Sequence, residues 1–402
     1  MNDQHLLIAG GGPVGLVTAL LLEPHFDAIT VLERHDGGMP SSRSLQLVLG
    51  ERGRHALRCC GLEQAVIDRG LWVRGRENGA GGGFHPYDED GGRILAVSRV
   101  VLQQLLEEAV DARPGIRRLD GTTVESVDFE ARTVEAHTRT GRDSWQYDVL
   151  VGADGVRSAV AQAMLGEEEM TLHKMDLVYR EVPVQDPGWS HEAFRYWSDG
   201  EIMAGSFPGQ GGQRGLFVMH PRGMEQDLFD EAKLFTRFPS LKGLGHGVLS
   251  ALKAAPAGAM GSKHCSRWRQ GQAVLIGDAA HAIVPFMGQG LNTGLEDAVA
   301  LMRQYRSRGR AGHEAVLERF VRRRQQPAEA IRSLSDRHAR HLLGQSTVTE
   351  QALEERSGVA LRSMGLPDTY AACAFSRTRF DRILRREWRA MGMDAPVRRK
   401  VA

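Results

Sequence analysis

Three glycine-centred segments carry the chemistry legible in this sequence. Gly10, Gly12 and Gly15 form G-x-G-x-x-G between an apolar strand, His5–Ala9, and a helical run, Val14–Leu22. In such a turn the first glycine permits a sharp reversal, the second lets a pyrophosphate approach the backbone, and the third lets helix and strand pack closely. The pyrophosphate then rests on a helix N-terminus, where free N–H groups and the dipole favour an anion. Glu33 ends the next strand, Ala28–Leu32, where a carboxylate can accept hydrogen bonds from a ribose. Against this stands the plain reading, a Gly-rich turn with no ligand. Two later strands run into Asp154-Gly155, within VLVGADGVRS, and into Gly277-Asp278, within VLIGDAAHAIVPFMGQGLNTGLED. Asp-Gly alone is a common turn; the order of glycine fingerprint, Asp-Gly and Gly-Asp is the informative feature.

The loop Pro285-Phe286-Met287-Gly288-Gln289-Gly290 suits a wall against a planar ring. Its glycines let backbone N–H groups approach, while Pro285 and Phe286 exclude water. No side chain is assigned a catalytic role. His281 follows Gly277-Asp278 and invites a general-base reading, but its apolar neighbours Ala279, Ala280 and Ile283 suit a structural histidine better. Asp154 is read as a loop residue beside a cofactor, not as a nucleophile. The sequence offers no metal-ligand spacing and no Ser-His-Asp or Cys-His set.

The elements that must position these residues read as an α/β (α+β) protein. It has a Rossmann-like nucleotide domain with a β-meander, a mixed or antiparallel substrate-domain sheet, and a C-terminal helical region. Helical spacing is expected over Ser44–Gly61 and Leu62–Gly70, and an amphipathic helix over Arg99–Ala112. A meander is expected over Thr122–Val127, Thr133–Thr138 and Trp145–Tyr147, with buried strands at Val149–Gly152 and Ala273–Ile276. The nucleotide domain is expected to be discontinuous, over 1–72, 94–173 and 258–325. The substrate domain takes 73–93 and 174–257, and the helical region 326–402.

A chain of 402 residues fits two to three domains. Its 51 basic and 50 acidic side chains nearly cancel, which gives no broad attraction to nucleic acid or anionic membrane. The Arg-rich end from Arg379 is read as a solvated helix face or tail. The four cysteines, two of them the adjacent Cys59 and Cys60, lack metal or redox spacing and suit a reducing cytoplasm. No apolar run approaches a membrane span, and the chain opens directly into a strand, so a soluble cytoplasmic protein is expected. Oligomeric state is not readable.

The whole pattern resembles the class A aromatic flavin hydroxylases, the para-hydroxybenzoate hydroxylase type, and within them kynurenine 3-monooxygenase. The likeness is carried by Ser42–Leu62, WVRGRE (72–77), Pro86-Tyr87, LAVSR (95–99), the Gly277–Ala298 block and YAACAFSRTRF (370–380). It implies bound FAD, contacted by Gly10, Gly12, Gly15, Glu33, Arg34, Arg43, Arg99, Asp154, Gly155, Gly277, Asp278, Gly290, Leu291 and Asn292. It also implies NADPH as a transient co-substrate, consistent with the absence of a second dinucleotide fingerprint. Reduced flavin would take up oxygen at C4a, and the hydroperoxide would hydroxylate an aromatic ring. The family's carboxylate-gripping arginine and two tyrosines match Arg76, Tyr87 and Tyr370, with Arg74 a rival for the first. Departures are also evident: His338 stands where the family has an asparagine, and Gly205, Phe207 and Met219 replace Ile, Leu and Phe. L-Kynurenine hydroxylated to 3-hydroxykynurenine is the leading expectation. A related indole or anthranilate substrate, and a non-catalytic FAD-binding protein, are the alternatives. The family's eukaryotic members carry a C-terminal membrane anchor; the charged RREWRAMGMDAPVRRKVA is not expected to serve as one.

Overall fold

Leu6, Leu7 and Ile8 are fully buried because the strand that carries them lies mid-sheet with both faces covered. This computed structural model describes residues 4–37, 45–87, 91–245, 247–347 and 368–390, with 350–351, 356–357, 360–361 and 363–364 between the last two spans. The central sheet runs in the order β18 (Arg269–Gln270), β19 (Ala273–Leu275), β12 (Val149–Gly152), β1 (His5–Ala9), β2 (Ala28–Glu33) and β8 (Ile116–Asp120). All its neighbours pair parallel except β18 with β19. Helix α1 (Pro13–Leu22) follows β1 directly, which completes the nucleotide-binding unit read from the sequence. The expected meander is present as β9 (Thr123–Asp128), β10 (Thr133–Thr138) and β11 (Gly141–Gln146), all antiparallel.

The second large sheet has seven strands. They are β17 (Gly258–Cys265), β13 (Met170–Gln185), β16 (Gln213–Pro221), β15 (Met203–Pro208), β14 (Ala193–Ser198), β5 (Gly75–Asn78) and β6 (Phe84–Pro86). It is mixed, since β14 and β5 run parallel while the other pairs run antiparallel. The segment 258–265, expected in the nucleotide domain, pairs along β13 and so belongs to this sheet. β13 itself crosses the expected boundary at residue 174.

Another difference concerns 44–61, expected to be helical throughout. Gln46–Leu49 forms β3, paired with β7 (Ile94–Ser98), which also pairs with β4 (Leu71–Val73). Along β3 half-buried and buried residues alternate with a strand's period of two, and that pattern prevails over helical spacing. The helix α2 begins only at Glu51 and ends at Cys59. Of 62–70, only Glu63–Ile67 is helical. Helix α3 (Arg99–Asp111) follows β7. The remaining helices used below are α4 (Gly290–Arg306), α5 (His313–Leu342), α6 (Thr369–Phe375) and α7 (Phe380–Ala390). Among the described residues no helix is long and apolar enough to cross a membrane.

Candidate active site

The fingerprint glycines each have a distinct steric reason. Gly10 has φ +105, and a Cβ there would lie 2.8 Å from the Asp154 Cα. A Cβ on Gly15 would run into the Gly10 carbonyl oxygen, so only glycine lets α1 pack this close to β1. A Cβ on Gly12 would meet nothing within 4 Å, which leaves the approach to the α1 N-terminus open. Glu33 receives the Gly11 N–H at 2.7 Å on one carboxylate oxygen and the His35 N–H at 2.9 Å on the other. The oxygen that takes the Gly11 N–H keeps a further lone pair for a ribose hydroxyl, whereas the other also lies 2.5 Å from His35 Nδ1. Arg34 is exposed, and Arg43 lies outside the described residues.

Asp154 and Gly155 stand beside this turn. One Asp154 oxygen caps the following helix by accepting from Ala159 N at 2.7 Å, while the other, Oδ1, is buried without a partner. Burial raises the Asp154 pKa, against the hydrogen bonds that lower it. Gln103, on α3, donates to the Gly11 carbonyl at 2.8 Å and likewise keeps a buried oxygen unpartnered. Nothing in the sequence singled it out. The exposed Asp278 and these two orphaned oxygens are acceptors suited to ribose and ribitol hydroxyls of FAD, while the open face of Gly12 is suited to its pyrophosphate.

The second strand-to-loop junction is held from behind. Asp297 accepts Gly277 N–H at 2.9 Å, His281 Nε2 at 2.5 Å and Arg324 Nε at 2.7 Å. Burial alone would raise its pKa, but His281 and Arg324 beside it outweigh this and bring it down to about 2. His281 is 5% exposed and stacks on Trp268 at 4.9 Å. These contacts make it a structural histidine. Asn292 is wholly committed too: its side chain joins Gly50 N, Gly53 N, Val48 O and Gly288 O, at 2.8–3.2 Å. What it can offer a ligand is its backbone N–H. With those of Gly290 and Leu291 it forms the first turn of α4, which has no intrahelical acceptor. Gly288 turns this loop at φ +61.

Lys263, on β17, was missed because no motif marks a lone lysine. It is 1% exposed, with its ammonium on the Val156 carbonyl at 3.2 Å. Burial lowers its pKa, while the nearby Cys265, Asp154 and Asp278 oppose that.

Sheet register gathers the substrate-facing candidates on one face. Gly205 pairs with both Tyr196 and Phe217, and Phe217 pairs with Glu181. Phe207 pairs with Gly215, while Met203, Met219 and Tyr179 form the neighbouring row. Gly205 is what lets the aromatic rings close over the strand: a Cβ there would collide with Phe217 and stand 2.8 Å from Phe194 Cε2. Phe194 stacks on Phe207 at 4.3 Å, and Tyr179 on Phe217 at 5.7 Å. Phe286, from the Pro285–Gly290 loop, packs against this cluster with Met219, so loop and sheet face each other. Pro285 is exposed, Met287 and Gln289 are buried, and Gln289 keeps one oxygen unpartnered.

At the β5 edge of this face Arg76 adjoins Tyr87 and Tyr370. The phenol rings lie 5.5 Å apart and share a hydrogen bond. Burial pushes both phenols up, Tyr370 to about 12, with the Arg76 charge opposing it in each. Arg74 instead pairs with Glu192 at 3.3 Å at the surface. His338 lies one turn beyond Leu334, which packs with Met287 and Tyr370, and its ring stacks on His341.

At the opposite edge Glu181 ties the sheet to the nucleotide domain, accepting Leu45 N–H at 2.9 Å and the Tyr179 hydroxyl. Burial raises its pKa, and these hydrogen bonds and Arg99 oppose the rise. Arg99 N–H in turn donates to the Leu45 carbonyl at 2.8 Å.

Residues 3–335 match the FAD binding domain family. The kynurenine 3-monooxygenase of Xanthomonas campestris pv. campestris is 32% identical over 423 aligned positions, covering 94% of this chain and 89% of that protein. The enzyme of the same name from Myxococcus xanthus is 31% identical, covering 82% and 76%. Among solved structures, 2-methyl-3-hydroxypyridine-5-carboxylic acid oxygenase superposes with a TM-score of 0.74 at 18% identity, covering 87% of this chain and 94% of that one. PqsL, a probable FAD-dependent monooxygenase from Pseudomonas aeruginosa, does so at 0.70 and 21%, covering 85% and 98%. The structural likenesses establish the fold, and the sequence matches establish the kinship: this chain belongs to the FAD-dependent aromatic monooxygenase family.

Proposed function

We propose that the protein hydroxylates the ring of a small aromatic amino acid or aryl carboxylate at the expense of NADPH, with L-kynurenine the first substrate to test. The observation that supports this most is the convergence of Arg76, Tyr87 and Tyr370 at one edge of an aromatic row that faces the Pro285–Gly290 loop. A guanidinium fork binds a carboxylate bidentately, and two phenols held protonated complete its hydrogen-bond shell. Phe194, Phe207 and Phe217 then hold the substrate ring, while Phe286 and Met219 exclude water. FAD, when bound, supplies the electron transfer and oxygen activation that no side chain here provides. The helix termini of α1 and α4, with Glu33, Asp154 and Asp278, would hold it.

A second reading has a specific observation behind it. Gly205 removes a side chain from the row and lets Phe217 and Phe194 take its space, which reshapes the cavity beside the ring. One methylene is worth about 1–3 kcal/mol of discrimination, enough to move the preference to an indole or anthranilate-type ring. The test is NADPH oxidation by the purified yellow protein in air, with and without L-kynurenine, the product followed by mass. Coupled gain of one oxygen supports the kynurenine assignment. Stimulated oxidation that yields only hydrogen peroxide favours the reshaped cavity and a different ring. No stimulation by any member of an aromatic carboxylate panel would leave a non-catalytic flavoprotein.

A further inference from the structure

Away from the aromatic row, α2 and α4 enclose a small cleft of about 130 Å³ lined by Arg52, His55, Glu296, Val299, Arg303 and Arg377. We propose that this cleft is an oxyanion site that takes a phosphate-type dianion, either free phosphate or the 2′-phosphomonoester of a reduced nicotinamide dinucleotide.

Three of its six lining residues are arginines, and these cations are unevenly compensated. Glu296 is its one carboxylate, and that group is divided between Arg52 at 2.9 Å and Arg324 at 2.8 Å. Among the described residues neither Arg303 nor Arg377 pairs with a carboxylate; Arg303 Nη2 lies 3.0 Å from His55 Nε2. Two guanidinium charges are therefore left for a ligand. Burial, then Arg377, Arg303 and Arg58, press the His55 pKa below the ordinary value, with Glu51 opposing them.

The buried wall supplies an independent sign. Arg52 is 1% exposed and is fixed on three sides, by Glu296, by the Thr378 carbonyl at 2.5 Å and by the Phe380 ring 3.8 Å beneath its Cζ. Its Nε has no partner at all. A buried guanidinium N–H left unpaired is costly, and the residue that carries it is one of those lining the cleft. Phosphate suits the set because guanidinium groups match its oxygens bidentately, and a dianion balances the two unpaired charges. Of the two sources, the dinucleotide rests on the proposed function; phosphate binding itself does not.

The experiment titrates the FAD-loaded protein with inorganic phosphate by calorimetry, in chloride at constant ionic strength. The expected result is saturable one-to-one binding, weakened tenfold or more in the Arg303→Ala/Arg377→Ala double variant. Both changes are exposed and leave the fold intact, which thermal melting checks. Absent saturable binding, or equal binding by the double variant, overturns the proposal. Given binding, the source follows from steady-state kinetics. A KM for NADPH raised tenfold with that for NADH unchanged assigns the site to the dinucleotide phosphate. Equal KM values in variant and parent, with inorganic phosphate binding lost, assign it to free phosphate. Failure of the monooxygenase reading would show instead as absent substrate-stimulated turnover, with the calorimetric result unaffected.

Discussion

His281 Nε2 stands 2.5 Å from Asp297 Oδ2, and that carboxylate also receives the Gly277 N–H and Arg324 Nε. The histidine most suggestive of catalysis is thus a strut behind the Gly277–Asp278 turn. His281→Ala is expected to lower the melting temperature and the FAD content together. Full FAD content and stability with turnover lost would make His281 a general base after all.

The same carboxylate predicts an acid limb. Its folded pKa, about 2, lies below the unfolded value of 3.8, so its contribution is complete above about pH 4 and is lost as pH falls toward 2. The shift corresponds to about 2 kcal/mol. Denaturant melts over that window should show the loss, and Asp297→Asn should show a shallower slope.

Arg76→Ala should raise the substrate KM tenfold or more, about 1.4 kcal/mol or above, with FAD retained. Arg74→Ala should stay within about twofold, because Arg74 is occupied at the surface by Glu192. Steady-state kinetics on the two variants separate the rivals, and the reverse ranking would move the clamp to Arg74.

Gly205→Ala should disturb the aromatic row, since the new methyl overlaps Phe217 and crowds Phe194. Overpacking of this kind costs about 1–3 kcal/mol. The expected outcome is a lower melting temperature and at least tenfold less substrate-stimulated NADPH oxidation, with flavin content unchanged. Parent-like values for both would exclude Gly205 as a determinant of cavity shape.

Lys263→Met should weaken FAD binding fivefold or more by releasing the Val156 carbonyl and the Asp154–Gly155 loop with it. The apoprotein should melt no lower than the parent, because a buried ammonium with, among the described residues, one acceptor, the Val156 carbonyl, is replaced by an apolar chain of similar length. Flavin-release titrations and apoprotein melts check the two halves separately.

The nucleotide unit was legible in the sequence because its requirements are local. Gly10, Gly12 and Gly15 answer steric needs within one turn, and β1, β12 and β19 are short apolar runs that end at motif residues. Family likeness, not spacing, pointed to Arg76, Tyr87 and Tyr370, which come from β5, the turn after β6 and α6. Long-range pairing was invisible. Nothing local shows that Gln46–Leu49 would find β7, or that β17 would extend the substrate sheet along β13. Buried charges were missed for a related reason: Lys263, Glu181 and Arg324 look like ordinary surface residues until the fold encloses them.

The Asn292 side chain binds Val48 O, Gly50 N and Gly53 N, so it closes a loop of 242 residues to Gly50. This sets a clock on biosynthesis. At about 5–20 residues per second, a ribosome needs on the order of 10 to 50 s between making Gly50 and making Asn292. During that interval β12 has yet to gain its partner β19, and the first turn of α4 does not exist. A chain that ended before Asn292 would therefore have its nucleotide fingerprint made, with Val48, Gly50 and Gly53 still lacking the side chain that ties them to the start of α4.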